Sequence, residues 1–305
     1  GGLLLTSAGI TGLVLRAVGG FYRIALTDDT IVEARLSGRV RPGGAKDRQG
    51  PVLPGDQVML EHSSAMWLIT DVLPRTSEMR RPPIANVDLC VVVQSVTAPA
   101  PNADMIDRIL IQATHAGLDA LLCVSKGDLG DEESIAALLN PYEVAGYPHV
   151  ITSAVSGLGI DELGRFLKGR VSTLAGPSGV GKSRLLNSVC PDFDLTVGEI
   201  SERAVRGRHT TRQVELLRLP FGGWIADTPG FSTLSFGDMN LRELPAAYPE
   251  FVRHAAECRF ASCLHREEPG CAVQEAVEEG RIDPGRYQRY LRFAEEVEAL
   301  EARRY

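Results

Sequence analysis

Eight consecutive residues near the middle of the chain have the types and spacing of a loop that binds phosphate. They fit the pattern G-x-x-x-x-G-K-[ST] and are Gly176, Pro177, Ser178, Gly179, Val180, Gly181, Lys182 and Ser183. The glycines let successive backbone N–H groups converge on one anion, because no Cβ blocks its approach. Lys182 is predicted to bridge the phosphates of a nucleotide, Ser183 to ligate Mg²⁺, and Arg184 to complete the binding segment. The alternative is that these residues form only a glycine-rich turn between a strand and a helix and match the phosphate-loop pattern by chance.

Two shorter motifs bear on the base that the nucleotide carries. The first, at residues 227–230, matches D-x-x-G, with a Mg²⁺-binding carboxylate at Asp227 and a γ-phosphate-contacting N–H at Gly230. The second resembles the guanine motif [NT]-K-x-D and comprises Ser125, Lys126, Gly127 and Asp128. A carboxylate at Asp128 can accept from two guanine donors that adenine lacks, and adenine would leave that buried charge unpaired. We therefore predict GTP or GDP as the nucleotide, with the base supported by the loop of Ser153 and Ala154.

The order of these motifs along the chain is permuted. Conventional GTPases run from the phosphate loop through D-x-x-G to the guanine motif, whereas here the guanine motif and the Ser-Ala pair come first. A parallel sheet can be unchanged by such a permutation, because its strands need only keep the same neighbours in space. The D-x-x-G segment, residues 227–236, then leads directly into the C-terminal part of the chain.

A basic segment between the phosphate loop and D-x-x-G supplies the candidates for catalysis. It spans residues 206–212 and contains His209, Thr210 and Thr211. One of the two threonines is predicted to close on Mg²⁺ and the γ-phosphate, and we favour Thr211. Residue 231 is Phe, where many GTPases place a glutamine that orients water, so His209 becomes the candidate for positioning or activating the attacking water. The alternative for His209 is a surface position without a catalytic role.

Four potential metal ligands lie within fourteen residues of the C-terminal part and are Cys258, Cys263, His265 and Cys271. Three thiolates and one imidazole suit a closed tetrahedral Zn²⁺ site, and the metal would be structural because no ligand position is left open. A disulfide is the alternative, which a cytosolic setting disfavours. The other cysteines lie in apolar or turn contexts and are predicted to be inert: Cys90, Cys123 and Cys190.

The elements that must position these residues follow three patterns. Residues 10–73 contain five short runs rich in Val, Ile and aromatics, which predict a small closed barrel such as an OB-fold. From residue 87, buried strands alternate with helices, which predicts a mostly parallel, doubly wound sheet with ligands at the carboxyl ends of its strands. After residue 236 the chain is predicted to be largely helical around the Cys/His cluster.

The predicted fold class is therefore multidomain. It has an OB-like barrel at residues 1–75, a central α/β phosphate-loop GTPase domain with permuted motifs at 84–236, and a mainly helical zinc-binding module at 237–305. Residues 75–83 have the prolines and charges of a linker between the first two domains.

The charge distribution excludes a uniformly basic nucleic-acid binder, because the 305 residues carry a net charge of −7. Residues 1–85 nevertheless hold ten basic against eight acidic side chains, whereas the rest holds 22 against 31. The basic loop at residues 39–48 is predicted either to contact an RNA backbone or to be a solvated surface loop. No apolar run approaches the roughly 20 residues that span a membrane, so a cytosolic protein without a membrane partner is expected.

These residues together resemble one family, the circularly permuted ribosome small-subunit-dependent GTPase A family. The resemblance covers nearly the whole chain and is most specific in the permuted order, in residues 206–212 and in the Cys/His cluster. Further matching segments are residues 54–58 (PGDQV), 106–110 (IDRIL) and 227–232 (DTPGFS).

The resemblance implies a cytoplasmic GTPase that binds the small ribosomal subunit late in its maturation. The barrel and the zinc module would contact rRNA, and hydrolysis stimulated by the subunit would permit release. The resemblance also implies that His209 serves hydrolysis in place of glutamine. The sequence shows no apolar seam for self-association, so a monomer is expected.

The chain departs from the family's pattern at Ser125, where the guanine motif usually begins with Asn. Serine is shorter, so we predict weaker nucleotide affinity that Ser125→Asn would improve, with the base preference kept by Asp128. Two other functions stay open. One is a zinc-stabilised RNA-binding assembly factor with structurally bound nucleotide and little turnover. The other is an ATP-dependent kinase, which Asp128 and the paired threonines disfavour.

Overall fold

The computed structural model describes residues 10–38, 51–63, 66–80, 82–193, 214–227, 235–236 and 239–303. Several of the predicted functional residues lie outside these ranges: the basic loop 39–48, His209, Thr210, Thr211 and Gly230.

Five strands at the N-terminal end close into a barrel, as predicted. They are β1 (Ile10–Val18), β2 (Phe21–Leu26), β3 (Ile31–Leu36), β4 (Gln57–Ser63) and β5 (Met66–Val72). Their spatial order is β1-β2-β3-β5-β4, and pairing of β1 with β4 closes the barrel. Alternate side chains point inward and fill the interior with an apolar core that includes Val14, Ile24, Leu60 and Ile69.

The segment predicted to be a linker is folded instead. Strands β6 (Glu78–Arg80) and β7 (Pro83–Ala85) form a small antiparallel pair. The guanidinium of Arg75 donates to the two carboxylate oxygens of Asp56 at 2.7 and 2.8 Å, and both side chains are buried. A buried charge is tolerated when it is paired. The charged residues of this segment, which suggested an exposed linker, therefore do not exclude a folded structure.

The central domain contains a six-stranded sheet with the order β10-β9-β8-β11-β13-β12. Its strands are β8 (Leu89–Ser95), β9 (Asp119–Ser125), β10 (His149–Ile151), β11 (Val171–Ala175), β12 (Glu215–Arg218) and β13 (Trp224–Asp227). All neighbouring pairs are parallel except β12 with β13. Every residue of β8 is buried, because helices cover both faces of the sheet.

Among the described residues, four helices pack against this sheet. Helices α1 (Ala103–His115) and α2 (Glu132–Ala145) share one apolar core, and α3 (Ile160–Leu167) and α4 (Lys182–Val189) share another. The barrel contributes Leu13, Leu15 and Ala25 to the first of these cores, which also contains residues of β12 and β13. The doubly wound α/β prediction is therefore confirmed, and the barrel packs directly on the sheet.

The C-terminal part consists of α5 (Pro249–Ala255), α6 (Ala272–Glu278) and α7 (Pro284–Ala302). Its aromatic core contains Tyr248, Phe251, Tyr290 and Phe293, together with Ile111 from α1 of the central domain. The predicted helical module is confirmed, and α1 forms part of its core. Among the described helices, none has the length and apolar content needed to cross a membrane.

Candidate nucleotide and zinc sites

The carboxyl ends of four neighbouring strands meet at one edge of the central sheet. Strands β9, β8, β11 and β13 lie side by side and run in the same direction. The loops that follow parallel strands emerge at the same edge, which is where such sheets bind ligands. The guanine motif after β9, the phosphate loop after β11 and Asp227 at the end of β13 are therefore brought together, although they are far apart in sequence.

The backbone of the phosphate loop requires its glycines. Gly176 has a φ of 143°, and a Cβ there would lie 2.1 Å from the carbonyl oxygen of Val93 on β8. Gly181 has a φ of 100° and occupies the N-cap of α4, so the helix begins immediately after it. These conformations are open to glycine and costly for other residues, and they turn the N-terminus of α4 toward the strand edge.

Lys182 is buried within the phosphate loop and is held by it. Its Nζ donates to the carbonyl oxygens of Gly176 and Pro177, both at 2.8 Å. Burial lowers the pKa of Lys182 to about 8, because the charged ammonium is removed from water. An anionic phosphate beside it would favour the protonated form, so nucleotide binding and a charged Lys182 support each other. Ser183, the predicted Mg²⁺ ligand, is buried at the next position.

The guanine motif is tied directly to the phosphate loop. The Ser125 hydroxyl donates to the carbonyl of Val180 at 2.7 Å, and Lys126 Nζ donates to the carbonyl of Gly179 at 3.0 Å. Lys126 also donates to the carbonyl of Ala98, in the loop after β8. Asp128 is exposed, in the turn that follows, where its carboxylate is accessible to a base. These contacts join the two predicted halves of the nucleotide site.

The loop of Ser153 and Ala154 forms a hydrogen-bonded turn beside helix α4. The buried Ser153 hydroxyl accepts from the N–H groups of Val155 and Ser156, at 3.2 and 3.1 Å. The carbonyl of Ala154 accepts from the hydroxyl of Ser188 on α4 at 3.3 Å. The loop is thereby connected to the helix that follows the phosphate loop.

The hydroxyl of Ser125 is bonded to the phosphate loop, and we expect this hydrogen bond to contribute to the affinity for guanine nucleotide. Ser125→Ala removes one buried hydrogen bond and leaves the Val180 carbonyl without that donor. We expect the Kd for GTP to rise by roughly fivefold, corresponding to about 1 kcal/mol. Titration with a fluorescent guanine nucleotide measures this. Ser125→Asn, predicted above to bind more tightly, serves as the comparison. An unchanged Kd in Ser125→Ala would show that the hydroxyl does not brace the pocket.

The structure also brings the four predicted zinc ligands together. The ligand atoms of Cys258, Cys263, His265 and Cys271 all lie within 4.8 Å of one another. Nδ1 of His265 lies 3.6 Å from the sulfur of Cys258 and 3.4 Å from that of Cys271, so Nδ1 faces the cluster. Burial lowers the pKa of His265, and the neutral imidazole that this favours is the form that binds metal. The donor set therefore fits a tetrahedral Zn²⁺ ion.

Contacts outside the ligand set hold this cluster in place. The Glu268 carboxylate accepts from the N–H groups of Leu264 and Arg266, at 2.7 and 2.8 Å. The hydroxyl of Tyr287 on α7 donates to the carbonyl of His265 at 2.8 Å. Such outer contacts fix ligand orientation, and here they connect the metal site to the last helix.

The remaining cysteines are buried away from these sites, as predicted for Cys90, Cys123 and Cys190. Burial raises the pKa of Cys90 well above its usual range and that of Cys123 to about 12. Thiols held in the neutral form are poor nucleophiles, which agrees with an inert role.

Sequence reasoning missed the loop that follows β8. Its carbonyls at Ala98 and Ala100 accept from Lys126 and, at 3.4 Å, from the buried side chain of Gln94. The loop thus contacts the guanine motif beside the phosphate loop. Its signal in the sequence was its place at the carboxyl end of a fully buried strand, which in a parallel sheet is the ligand-binding edge.

Comparisons with known proteins agree with this geometry. Residues 72–237 match the sequence profile of a family described as RsgA GTPase. Over 95% of its length the chain is 44% identical to a protein of Moorella thermoacetica named "Small ribosomal subunit biogenesis GTPase RsgA", covering 98% of it. A protein of the same name from Caldanaerobacter subterraneus subsp. tengcongensis is 42% identical, with 97% and 98% of the two chains covered.

Two solved structures are similar over nearly the whole chain. YloQ, described as a circularly permuted GTPase, has a TM-score of 0.80 at 30% identity and 98% coverage of both chains. YjeQ from Thermotoga maritima has a TM-score of 0.81 at 33% identity, with 94% of this chain and 98% of that chain covered.

Proposed function

The chain belongs to the RsgA GTPase family, and we propose on that premise that it is a GTP-hydrolysing factor acting late in small ribosomal subunit assembly. The observation that carries the proposal is near-full-length similarity to proteins named for that role, combined with a guanine motif bonded to the phosphate loop. These names favour turnover over the alternative of a passively held nucleotide. The kinase alternative finds no support in them.

The nucleotide would be held by residues of the four strand ends. Backbone N–H groups of residues 176–183 and the Lys182 ammonium would bind the phosphates, and Asp128 would select guanine over adenine. Ser183 and Thr211, with Asp227 acting through water, would hold Mg²⁺. Hydroxyl and carboxylate oxygens are the donors this hard cation prefers, and the ion would supply positive charge to the β- and γ-phosphates.

Hydrolysis would need a residue that positions water, and His209 is our candidate. Phe231 cannot orient water, whereas an imidazole can accept a proton or a hydrogen bond near neutral pH. The D-x-x-G backbone at Gly230 would contact the γ-phosphate. Hydrolysis on the small subunit would then permit release of the protein.

The flanking parts would recognise the ribosome. We propose three functional units, a barrel at 1–75, a GTPase domain at 84–236 and a zinc module at 237–305, with rRNA contacted by the first and the last. One structural Zn²⁺ would stabilise the third unit, since its donor set fits that ion. We further propose a cytoplasmic monomer.

The deciding experiment is GTP turnover by the purified protein, with and without small ribosomal subunits, in the wild type and in His209→Ala. We expect stimulation by the subunits in the wild type. We expect His209→Ala to reduce turnover by about 10²–10⁴-fold with GTP affinity retained, the range for loss of a general acid–base group. His149→Ala is the matched control, because His149 lies outside the nucleotide-binding motifs, on the edge strand β10, where its Nε2 is 3.4 Å from a carboxylate oxygen of Glu143.

Unchanged turnover in His209→Ala would exclude the catalytic assignment. GTP binding without stimulated hydrolysis would instead favour the passive assembly factor. Equal affinity for ATP and GTP would overturn the role of Asp128.

A further inference from the structure

We propose that Arg108 is a positioning residue for GTP hydrolysis, which fixes the chain following D-x-x-G to helix α1 and to the C-terminal helix α7. The proposal rests on the hydrolytic function proposed above. It adds a residue that lies outside the nucleotide-binding motifs and outside the zinc site.

Arg108 lies between two aromatic rings from different parts of the chain. Its guanidinium carbon is 4.8 Å from the ring centre of Phe236 and 4.4 Å from that of Phe293 on α7. The two ring centres are themselves 5.2 Å apart. The guanidinium also forms a bidentate ion pair with the carboxylate of Glu296, in which Nη1 donates to Oε1 at 3.1 Å and Nη2 to Oε2 at 2.5 Å. Cation–π contacts and a bidentate ion pair together define one orientation of the side chain.

Phe236 is the anchored residue in this arrangement. It is 2% exposed, and the preceding carbonyl, of Ser235, accepts from Gln112 Nε2 at 3.3 Å. Arg108 and Gln112 are four residues apart and therefore lie on the same face of α1. Two side chains of one helix thus hold the point at which the D-x-x-G segment enters the C-terminal module.

The anchor is close in sequence to the residues proposed to act on the γ-phosphate. Phe236 lies nine positions after Asp227 and six after Gly230. A chain of six residues spans at most about 21 Å, so fixing one end restricts where the other can lie. Hydrolysis depends strongly on such placement, and a misplacement of about 1 Å can cost about 10²-fold in rate.

Helix α1 is itself connected to the nucleotide site. The loop leading into it is held by Lys126 of the guanine motif at Ala98, and by Gln94 at Ala100. The guanine motif and Phe236 are therefore both in contact with the segment formed by β8, its following loop and α1. Arg108 connects that segment to α7, which also contacts the Cys/His cluster through Tyr287.

The test measures GTP turnover by variants of the full-length protein with saturating small ribosomal subunits. Arg108→Met keeps an apolar stem against the rings and removes the charge and the pair with Glu296. We expect kcat to fall about 10- to 100-fold, with the Kd for GTP and GDP within about twofold of wild type. Arg108→Lys retains the cation but cannot form the bidentate pair with Glu296, so it is expected to recover only part of the loss.

Arg292→Met is the matched control. Arg292 pairs with Asp104 at 2.7 Å across the same two helices, but its side chain is 58% exposed. It is expected to keep wild-type kcat and Kd. The pair Arg108→Met and Phe236→Leu forms a double-mutant cycle, and we expect the effects on kcat to be non-additive, because both changes break one contact.

Wild-type kcat in Arg108→Met, or additive effects in the cycle, would overturn the proposal. Equal loss of kcat and nucleotide affinity together with a lower Tm would also overturn it, because Arg108 would then serve the fold alone. Absence of turnover in the wild type would refute the proposed function, and this inference with it.

Discussion

Asp107→Ala is expected to lower the free energy of unfolding by about 3–5 kcal/mol, since it removes the central carboxylate of a buried ionic cluster. Asp107 on α1 accepts from Arg286 Nη1 at 2.5 Å and from Arg289 Nε, and Arg286 also donates to Glu250 at 2.6 Å. Asp107, Glu250 and Arg286 are all at most 1% exposed. Breaking such a pair on one side leaves a buried charge uncompensated.

The guanidinium of Arg286 is surrounded by aromatic rings and carboxylates. Three tyrosine rings enclose the guanidinium, with centres 5.1–5.4 Å from its carbon: Tyr142, Tyr147 and Tyr248. Burial acts to lower the pKa of Arg286, but the carboxylates of Asp107 and Glu250 outweigh it and hold the pKa well above its ordinary value. Arginine is not deprotonated in proteins, and Glu250 remains beside Arg286 when Asp107 is removed, so the guanidinium stays charged.

Urea unfolding followed by circular dichroism measures the effect. The matched control is Asp104→Ala, which removes the exposed pair with Arg292 from the same face of α1 and is expected to cost at most about 1 kcal/mol. Equal stabilities of the two variants would contradict the prediction. Because the cluster joins α1 to α5 and α7, we also expect destabilisation to affect the C-terminal module and the central domain together.

Replacement of Cys271, one of the four proposed zinc ligands, is the second change with a large expected effect. Cys271→Ser replaces a buried sulfur donor, and we expect the variant to lose the proposed zinc ion. Structural zinc contributes about 10–16 kcal/mol to folding in isolated zinc-finger peptides. Here the cluster contacts α7 through Tyr287, so metal loss is expected to lower the Tm and to expose the aromatic core around Phe251 and Tyr290.

Metal analysis of the purified protein and thermal unfolding, with and without EDTA, check this prediction. Cys90→Ala is the matched control, because Cys90 is buried in β8 far in sequence from the cluster, and it should retain one zinc per chain. A wild type purified without zinc, or an unchanged Tm in Cys271→Ser, would contradict a structural metal.

The local structural features of this protein are encoded in short stretches of its amino-acid sequence. The glycines of residues 176–181, the alternation of the barrel strands and the Cys/His spacing each depend on neighbours a few residues away. Such short patterns can be recognised in the sequence, because a backbone conformation that binds phosphate or metal allows only a few residue types at each of its positions. The barrel, the doubly wound sheet and the Cys/His cluster could therefore be predicted.

The contacts between these local features involve residues far apart in the sequence, and they became evident only in the folded structure. The hydroxyl of Ser125 reaches Val180, Arg75 pairs with Asp56 inside a segment that resembled a linker, and Arg286 meets Asp107 across 179 positions. Charged residues are usually exposed, so composition argues against each buried pair until its partner is known. A partner brought close by packing leaves no local periodicity in the sequence. The ionic cluster around Arg286 and the contacts of Phe236 could therefore be identified only from the folded structure.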